Sequence, residues 1–245
     1  MFNSIGVIGG GVMAKGVHRA LSREGVQVGL IDARELLSIS SVDVSNFDLI
    51  IECVVEDFHV KKNIFERLLE ANPDAILASC TSSLSIDALQ DCMNDSNRFM
   101  GIHFMNPASS IKVVEVVPSF NTDQSLVDEV VSWLESIGRK VLVVPDTPGF
   151  VVNALLFSFL NQAMLLKEAT GLSSEAIDEL VTHALGHPLG PFKIMDLVGL
   201  DTSENILRNL HLRKPDQFQA PSPSISGLTS KGSLGRKSKS GFYTY

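Results

Sequence analysis

Cysteine is scarce in this chain. Only Cys53, Cys80 and Cys92 occur in 245 residues, and no two stand at a CxxC spacing. An odd, unspaced set argues against a disulfide framework or a zinc site and for a reducing compartment. Positive charge is also short: 20 lysines and arginines against 28 aspartates and glutamates leave a net charge of −8. An acidic chain without a dominant basic face is a poor partner for nucleic acid. No uninterrupted membrane-length run occurs either. The longest apolar segment, GFVVNALLFSFLNQAMLL at 149–166, carries Asn153, Asn161 and Gln162 and reads as a buried helix. No positive charge precedes Lys15, and Gly9, Gly10 and Gly11 interrupt the early apolar run, so a signal peptide is not expected. His183, His187 and His211 share no ligand spacing with carboxylates, so no metal site is expected. The expectation is a soluble cytoplasmic protein.

What is present suits two cores, with 44% hydrophobic residues. Short apolar runs at 4–8, 27–31, 48–54, 75–79, 99–103, 112–117 and 140–144 read as strands. Helical spacing at 12–23, 60–70, 85–92 and 123–137 alternates with them, and Ser85 is a good N-cap. After Pro145 only helices are expected, at 150–167, 173–184, 192–198 and 202–210. Residues 215–240, rich in Pro, Ser, Gly and Lys, read as a surface-following tail. The fold class is therefore α/β: a Rossmann-type dinucleotide-binding domain at 1–146, then an all-α domain at 147–245.

Between the first predicted strand and helix, VIGGGVMAKG (7–16) contains Gly9-x-Gly11-x-x-Ala14. The first glycine permits a tight turn, the second lets backbone approach a pyrophosphate, and Ala14 lets helix and strand pack closely. The helix start at Val12 and Met13 offers free N–H groups and a positive dipole end to phosphates. Asp32, closing the next strand, is placed to hold ribose hydroxyls, and its charge favours NAD. Arg34, two residues on, keeps NADP open.

The stretch HFMNPASSIKVVEVV (103–117) holds a histidine and, inside a valine run, the carboxylate of Glu115. Burying that carboxylate is costly unless something pairs with it. His103 ends a predicted strand at the edge where α/β ligands collect. One reading makes His103 a general base oriented by Glu115. The plainer reading leaves Glu115 facing solvent at a sheet edge and His103 as a satisfied core histidine.

Eight blocks occur in order: VIGGGVMAKG, IIECVVEDFHVKKNIF (50–65), TSSL (81–84), HFMNP (103–107), VVEVV (113–117), DTPGFVVN (146–153), HPLGPFKIMDLVGLD (187–201) and GRKSKSGFYTY (235–245). Together they resemble the 3-hydroxyacyl-CoA dehydrogenases, the family that includes 3-hydroxybutyryl-CoA dehydrogenase, over nearly the whole chain. The resemblance implies an NAD-dependent oxidation of 3-hydroxyacyl thioesters by a homodimer, with the helical half pairing subunits and closing one wall of the active site. His103 and Glu115 fall on the family's proton-handling pair. Ser82 and Asn153 fall on its substrate and nicotinamide contacts. Glu56, Lys61, Asn106 and Lys237 fall on its cofactor contacts.

Three departures stand out. Cys80 replaces the asparagine before Thr-Ser-Ser, and Ala154 replaces a frequent arginine. Only residues 33–47 fill the place of a long helical hairpin that contributes coenzyme A contacts in the family. That leaves the acyl handle open between CoA and an acyl carrier protein bearing, for example, a hydroxymalonyl group. A dinucleotide-binding protein without turnover is the alternative of another class, against which the intact Ser82, His103, Glu115 and Asn153 set argues.

Overall fold

The computed structural model describes residues 2–38, 42–93 and 97–245. Residues 39–41 of the short 33–47 connection lie outside the described part. The chain forms two compact units, Met1–Phe150 and Val151–Tyr245.

The first unit is built on seven strands: β1 (Ile5–Ile8), β2 (Val28–Ile31), β3 (Leu49–Glu52), β4 (Ile76–Ser79), β5 (Phe99–Phe104), β6 (Val113–Pro118) and β7 (Lys140–Val143). They lie in the order β2-β1-β3-β4-β5-β6-β7. Only the β5–β6 pair is antiparallel. β1, β3 and β4 are buried along their full length, which is why they read as unbroken apolar runs. The strand order reverses direction around β1, so the switch point of the sheet lies between β1 and β3.

The covering helices follow the sequence pattern. α1 (Val12–Arg23) buries Ala14, Val17, Ala20 and Leu21. α3 (Phe58–Ala71) is capped by Asp57, α4 (Ile86–Asp91) by Ser85 and α5 (Gln124–Ser136) by Asp123, each accepting from a first-turn N–H. A six-residue helix, α2 (Ala33–Ser38), was not anticipated. It is under two turns long, too short to show a helical period. Residues 44–47 of the shortened connection are anchored. The Phe47 ring covers Gly6 and Gly29, which are cross-strand neighbours on β1 and β2, and a Cβ at either glycine would lie within 3 Å of it. Asn72 donates to the carbonyls of Val44 and Phe47.

The second unit contains α6 (Val152–Thr170), α7 (Ser174–Ala184), α8 (Pro191–Val198), α9 (Leu200–Arg213), α10 (Pro223–Thr229) and a 3-10 turn (Arg236–Ser238). Its core gathers Phe157, Leu160, Met164, Phe192, Met195 and Leu207. Here the expectation of a surface-following tail needs correction. Ser222 and Ile225 are fully buried, and Gly235 and Gly241 lie against Asp196 too closely for any side chain. Asp196 accepts from the N–H groups of Phe242 and Tyr243 and from the Tyr245 hydroxyl. A Pro/Ser/Gly composition hides this because the anchors are backbone groups and terminal aromatics. Among the described residues, no helix is long and apolar enough to cross a membrane.

Candidate active site

The first group of site residues sits on the turn after β1. Gly9 adopts φ +141, and a Cβ there would meet the Cys53 carbonyl oxygen at 2.6 Å, so only glycine fits. Gly11 is the opposite case: a Cβ would meet no protein atom within 4 Å. Gly11 caps α1 without a side-chain hydrogen bond, so the first-turn N–H groups of Val12 and Met13 are left for another partner. Val12 is 79% exposed, unusual for valine beside a glycine turn, while Met13 is half-buried and Ala14 fully buried against the sheet. This open, donor-rich cradle fits a pyrophosphate. Asp32 follows β2, and the Arg34 guanidinium grips it at 2.7 and 3.1 Å. That grip and the Arg34 backbone N–H bring the carboxyl down to about 2, so Asp32 is an ionised acceptor at neutral pH.

The second group is the histidine and its carboxylate. His103 and Glu115 are direct cross-strand partners in the antiparallel β5–β6 pair. Their side chains share one face, and Nδ1 of His103 lies 2.8 Å from Oε2 of Glu115. Both are buried, at 5% and 1% exposure, which excludes the solvent-facing alternative for Glu115. A carboxylate on Nδ1 fixes the tautomer with its proton there and leaves Nε2 as the acceptor. The Phe150 ring packs on the imidazole at 5.4 Å, although Phe150 has φ +50, an uncommon backbone for an aromatic residue.

The third group is the turn after β4. Oε1 of Glu56 accepts from Thr81 Oγ1 (2.6 Å), Ser82 N (2.9 Å), Ser83 N (2.9 Å) and Ser83 Oγ (2.9 Å). Partial burial pushes the Glu56 carboxyl up, but Lys61 and the donors of the turn more than offset this and hold it below its ordinary value. Glu56 keeps 36% of its side chain exposed, whereas Lys61 keeps 1%. The Lys61 ammonium meets Glu52 at 2.7 and 2.9 Å and Glu56 at 3.4 Å. Burial works against that ammonium, yet the two carboxylates hold it above its ordinary value. Burial raises Glu52 in turn, but both its oxygens accept from Lys61, and that geometry is an ion pair. Lys61, expected as a cofactor contact, has its ammonium on Glu52 and Glu56.

The remaining expected residues are placed as follows. Asn106 is exposed two residues beyond β5. Asn153 is the second residue of α6 and half-buried. Lys237 lies in the 3-10 turn and pairs with Asp201 at 2.5 and 2.7 Å, within the helical unit. Cys80 follows β4 directly and lies beside Cys53. Hydrogen bonding to Cys80, with burial, pushes the Cys53 thiol well above its usual range. Sequence reasoning missed Glu52 and Phe150. Glu52 carried a usable signal, a carboxylate closing the apolar run DLIIE. Phe150 carried none, since its role depends on a positive φ after Gly149.

Fold and glycine turn together define a Rossmann-type dinucleotide-binding protein with a helical second unit. Comparison with known proteins gives the family. The family's "3-hydroxyacyl-CoA dehydrogenase, NAD binding domain" matches residues 37–147, and its C-terminal domain matches 149–245. The Rattus norvegicus mitochondrial hydroxyacyl-coenzyme A dehydrogenase is 32% identical, covering 100% of this chain and 92% of the relative. A Mus musculus counterpart is 39% identical over 82% of this chain and 65% of its own length. The crystal structure of Mycobacterium tuberculosis FadB2 superposes with a TM-score of 0.92 at 32% identity, covering 100% of this chain and 99% of that one. The chain belongs to the 3-hydroxyacyl-CoA dehydrogenase family of NAD-dependent oxidoreductases. The alignment with the Mycobacterium tuberculosis 3-hydroxybutyryl-CoA dehydrogenase runs over 279 positions against 245 residues here, so at least 34 have no counterpart in this chain.

Proposed function

We propose that the protein interconverts 3-hydroxyacyl and 3-oxoacyl thioesters with NAD, using His103 as the base. The His103–Glu115 pair carries this reading: a buried imidazole with one nitrogen on a carboxylate and the other left to act. In the oxidative direction Nε2 takes the hydroxyl proton as the carbon gives up a hydride. Glu115 keeps the ring in the required tautomer and stabilises the imidazolium that forms. NAD, when bound, supplies the hydride acceptor. Gly9, Gly11, Val12, Met13 and Ala14 form the cradle for its pyrophosphate, and Asp32 takes a ribose hydroxyl. Glu56, Lys61 and Asn106 are assigned to the nicotinamide half of the cofactor. Ser82 and Asn153 are assigned to the substrate oxygen and the nicotinamide, and Lys237 to a cofactor phosphate or ribose.

Coenzyme A is the favoured handle, as the names of the relatives suggest. A carrier-protein handle is the second reading, and the 34 or more missing positions favour it, because residues 33–47 leave little chain for CoA contacts. The homodimer also belongs to this proposal: in the helical unit Leu155, Leu180, Leu185, Leu197 and Leu212 are each more than half exposed. A monomer by sedimentation at working concentration would end that part. A cytoplasmic site of action follows from the unpaired cysteines, although the mouse and rat relatives are named mitochondrial. The deciding assay follows NADH oxidation with acetoacetyl groups on CoA, on pantetheine and on a carrier protein. Turnover on the CoA form favours the first reading, and turnover on the carrier form alone the second. Tight NADH binding with no turnover on any handle would sink both.

A further inference from the structure

We infer that Glu52 is a positioning residue, whose buried ion pair with Lys61 sets the Ser82 turn through Glu56. The inference rests on the reading that Ser82 meets the substrate. Glu52, the last residue of β3, has no solvent exposure. Its Oε1 accepts from Val54 N and Lys61, and its Oε2 from Lys61 and Ser79 Oγ. An ammonium has three hydrogens. Those of Lys61 have three oxygens around them, two on Glu52 and one on Glu56.

The turn itself is held on both carboxylates. Ser79 Oγ, which donates to Glu52, accepts from Thr81 N at 3.3 Å. Glu56 collects the N–H groups of Ser82 and Ser83. Lys61 joins the two carboxylates, so the carboxylate that faces the open side is fixed from within the sheet. Removing the Glu52 charge leaves a buried ammonium with Glu56 as its one anion. Glu56 is then drawn toward Lys61 and away from the Ser82 and Ser83 N–H groups. The glycine turn follows β1 and the His103–Glu115 pair bridges β5 and β6, so both are expected to stay in place.

Two measurements test this. The first is amide hydrogen exchange. In Glu52→Gln, exchange over residues 81–84 should rise by about tenfold, while residues 99–104 keep wild-type protection. Unchanged exchange at 81–84 overturns the inference whether or not the protein turns over any thioester, so the result stands apart from the functional reading. The second is a double-variant cycle on the handle found active, following kcat/KM and NADH affinity. Glu52→Gln should lower kcat/KM by about tenfold alone and by less than about twofold in a Ser82→Ala background, as expected for residues acting in series. NADH affinity is followed beside it, because Glu56 is also assigned to the cofactor, and the Ser82 coupling in kcat/KM is the deciding readout. Full multiplicative losses in the double variant would show that Glu52 acts elsewhere and overturn the inference. Should Glu52→Gln fail to fold, Ser79→Ala removes one donor to Glu52 and enters the same tests, with about a threefold effect expected.

Discussion

Both units of this protein bury charge, and they satisfy it in different ways. In the α/β unit the buried groups are Glu52, Lys61, His103, Glu115 and Arg139, and each is paired acid to base. In the helical unit they are Asp178 and Asp196, at 2% and 1% exposure, and they meet backbone N–H groups and tyrosine hydroxyls. Asp178 sits at the N-terminal end of α8, accepting from Phe192 N and Lys193 N, where a helix favours negative charge. Burial and Asp178 push the Tyr243 phenol up, so it stays a donor. The His103–Glu115 pair can pass a proton, whereas the two aspartates can only hold a shape. A buried carboxylate thus speaks for chemistry or for architecture according to what accepts its charge.

The strongest way to break this comparison is His103→Gln. Turnover should fall by about a thousandfold, within the usual range for a general base, with NADH affinity near wild type. Near-normal turnover would remove the functional half of the contrast. Glu115→Gln should lower kcat by about a hundredfold, because the tautomer is no longer enforced. A loss larger than that of His103→Gln would point to a folding role instead. On the architectural side, Asp196→Asn turns an amide toward two N–H groups and should cost about 2 kcal/mol in thermal unfolding. Its kcat per folded molecule should stay near wild type, and a selective kcat loss would blur the distinction.

The smallest expected effect is on pH. The folded carboxyl of Glu56 lies below its ordinary value of 4.5. Its contribution is therefore complete above that value and is lost as pH falls through the lower folded one. Urea unfolding of wild type and Glu56→Gln should differ by a constant amount between about pH 5 and 7 and converge in more acidic solution. A difference that grows in acid would reverse the sign assigned here.

The sheet and its helices were legible because parallel strands covered on both faces are unbroken apolar runs, as in IGVI and DLIIE. Glu115 was legible by the same logic, since a carboxylate inside a valine run demands a partner, and the β5–β6 register supplies His103. Glu52 raised the same demand, but its partner Lys61 lies nine residues on, in an amphipathic helix where lysine normally faces water. The C-terminal segment was misjudged for a related reason. Its anchors to Asp196 are main-chain N–H groups, which no side-chain pattern displays. The roles of Asn153 and Lys237 rest on motif order alone, because each stands in a context that an ordinary helix residue or surface ion pair also satisfies.

The clasp between Asp196 and residues 242–245 carries a consequence for biosynthesis. Asp196 gains its partners only after the chain has advanced by almost fifty residues, to the GFYTY stretch. During synthesis the α/β unit has all its own strands in hand by residue 143, long before that point. On the ribosome it can therefore fold first, as domains generally do. The helical unit must keep a buried-to-be aspartate waiting until residues 241–245 have left the exit tunnel. Its closure therefore comes late, and a stalled or clipped nascent chain would leave this half open for proteases while the sheet stood complete.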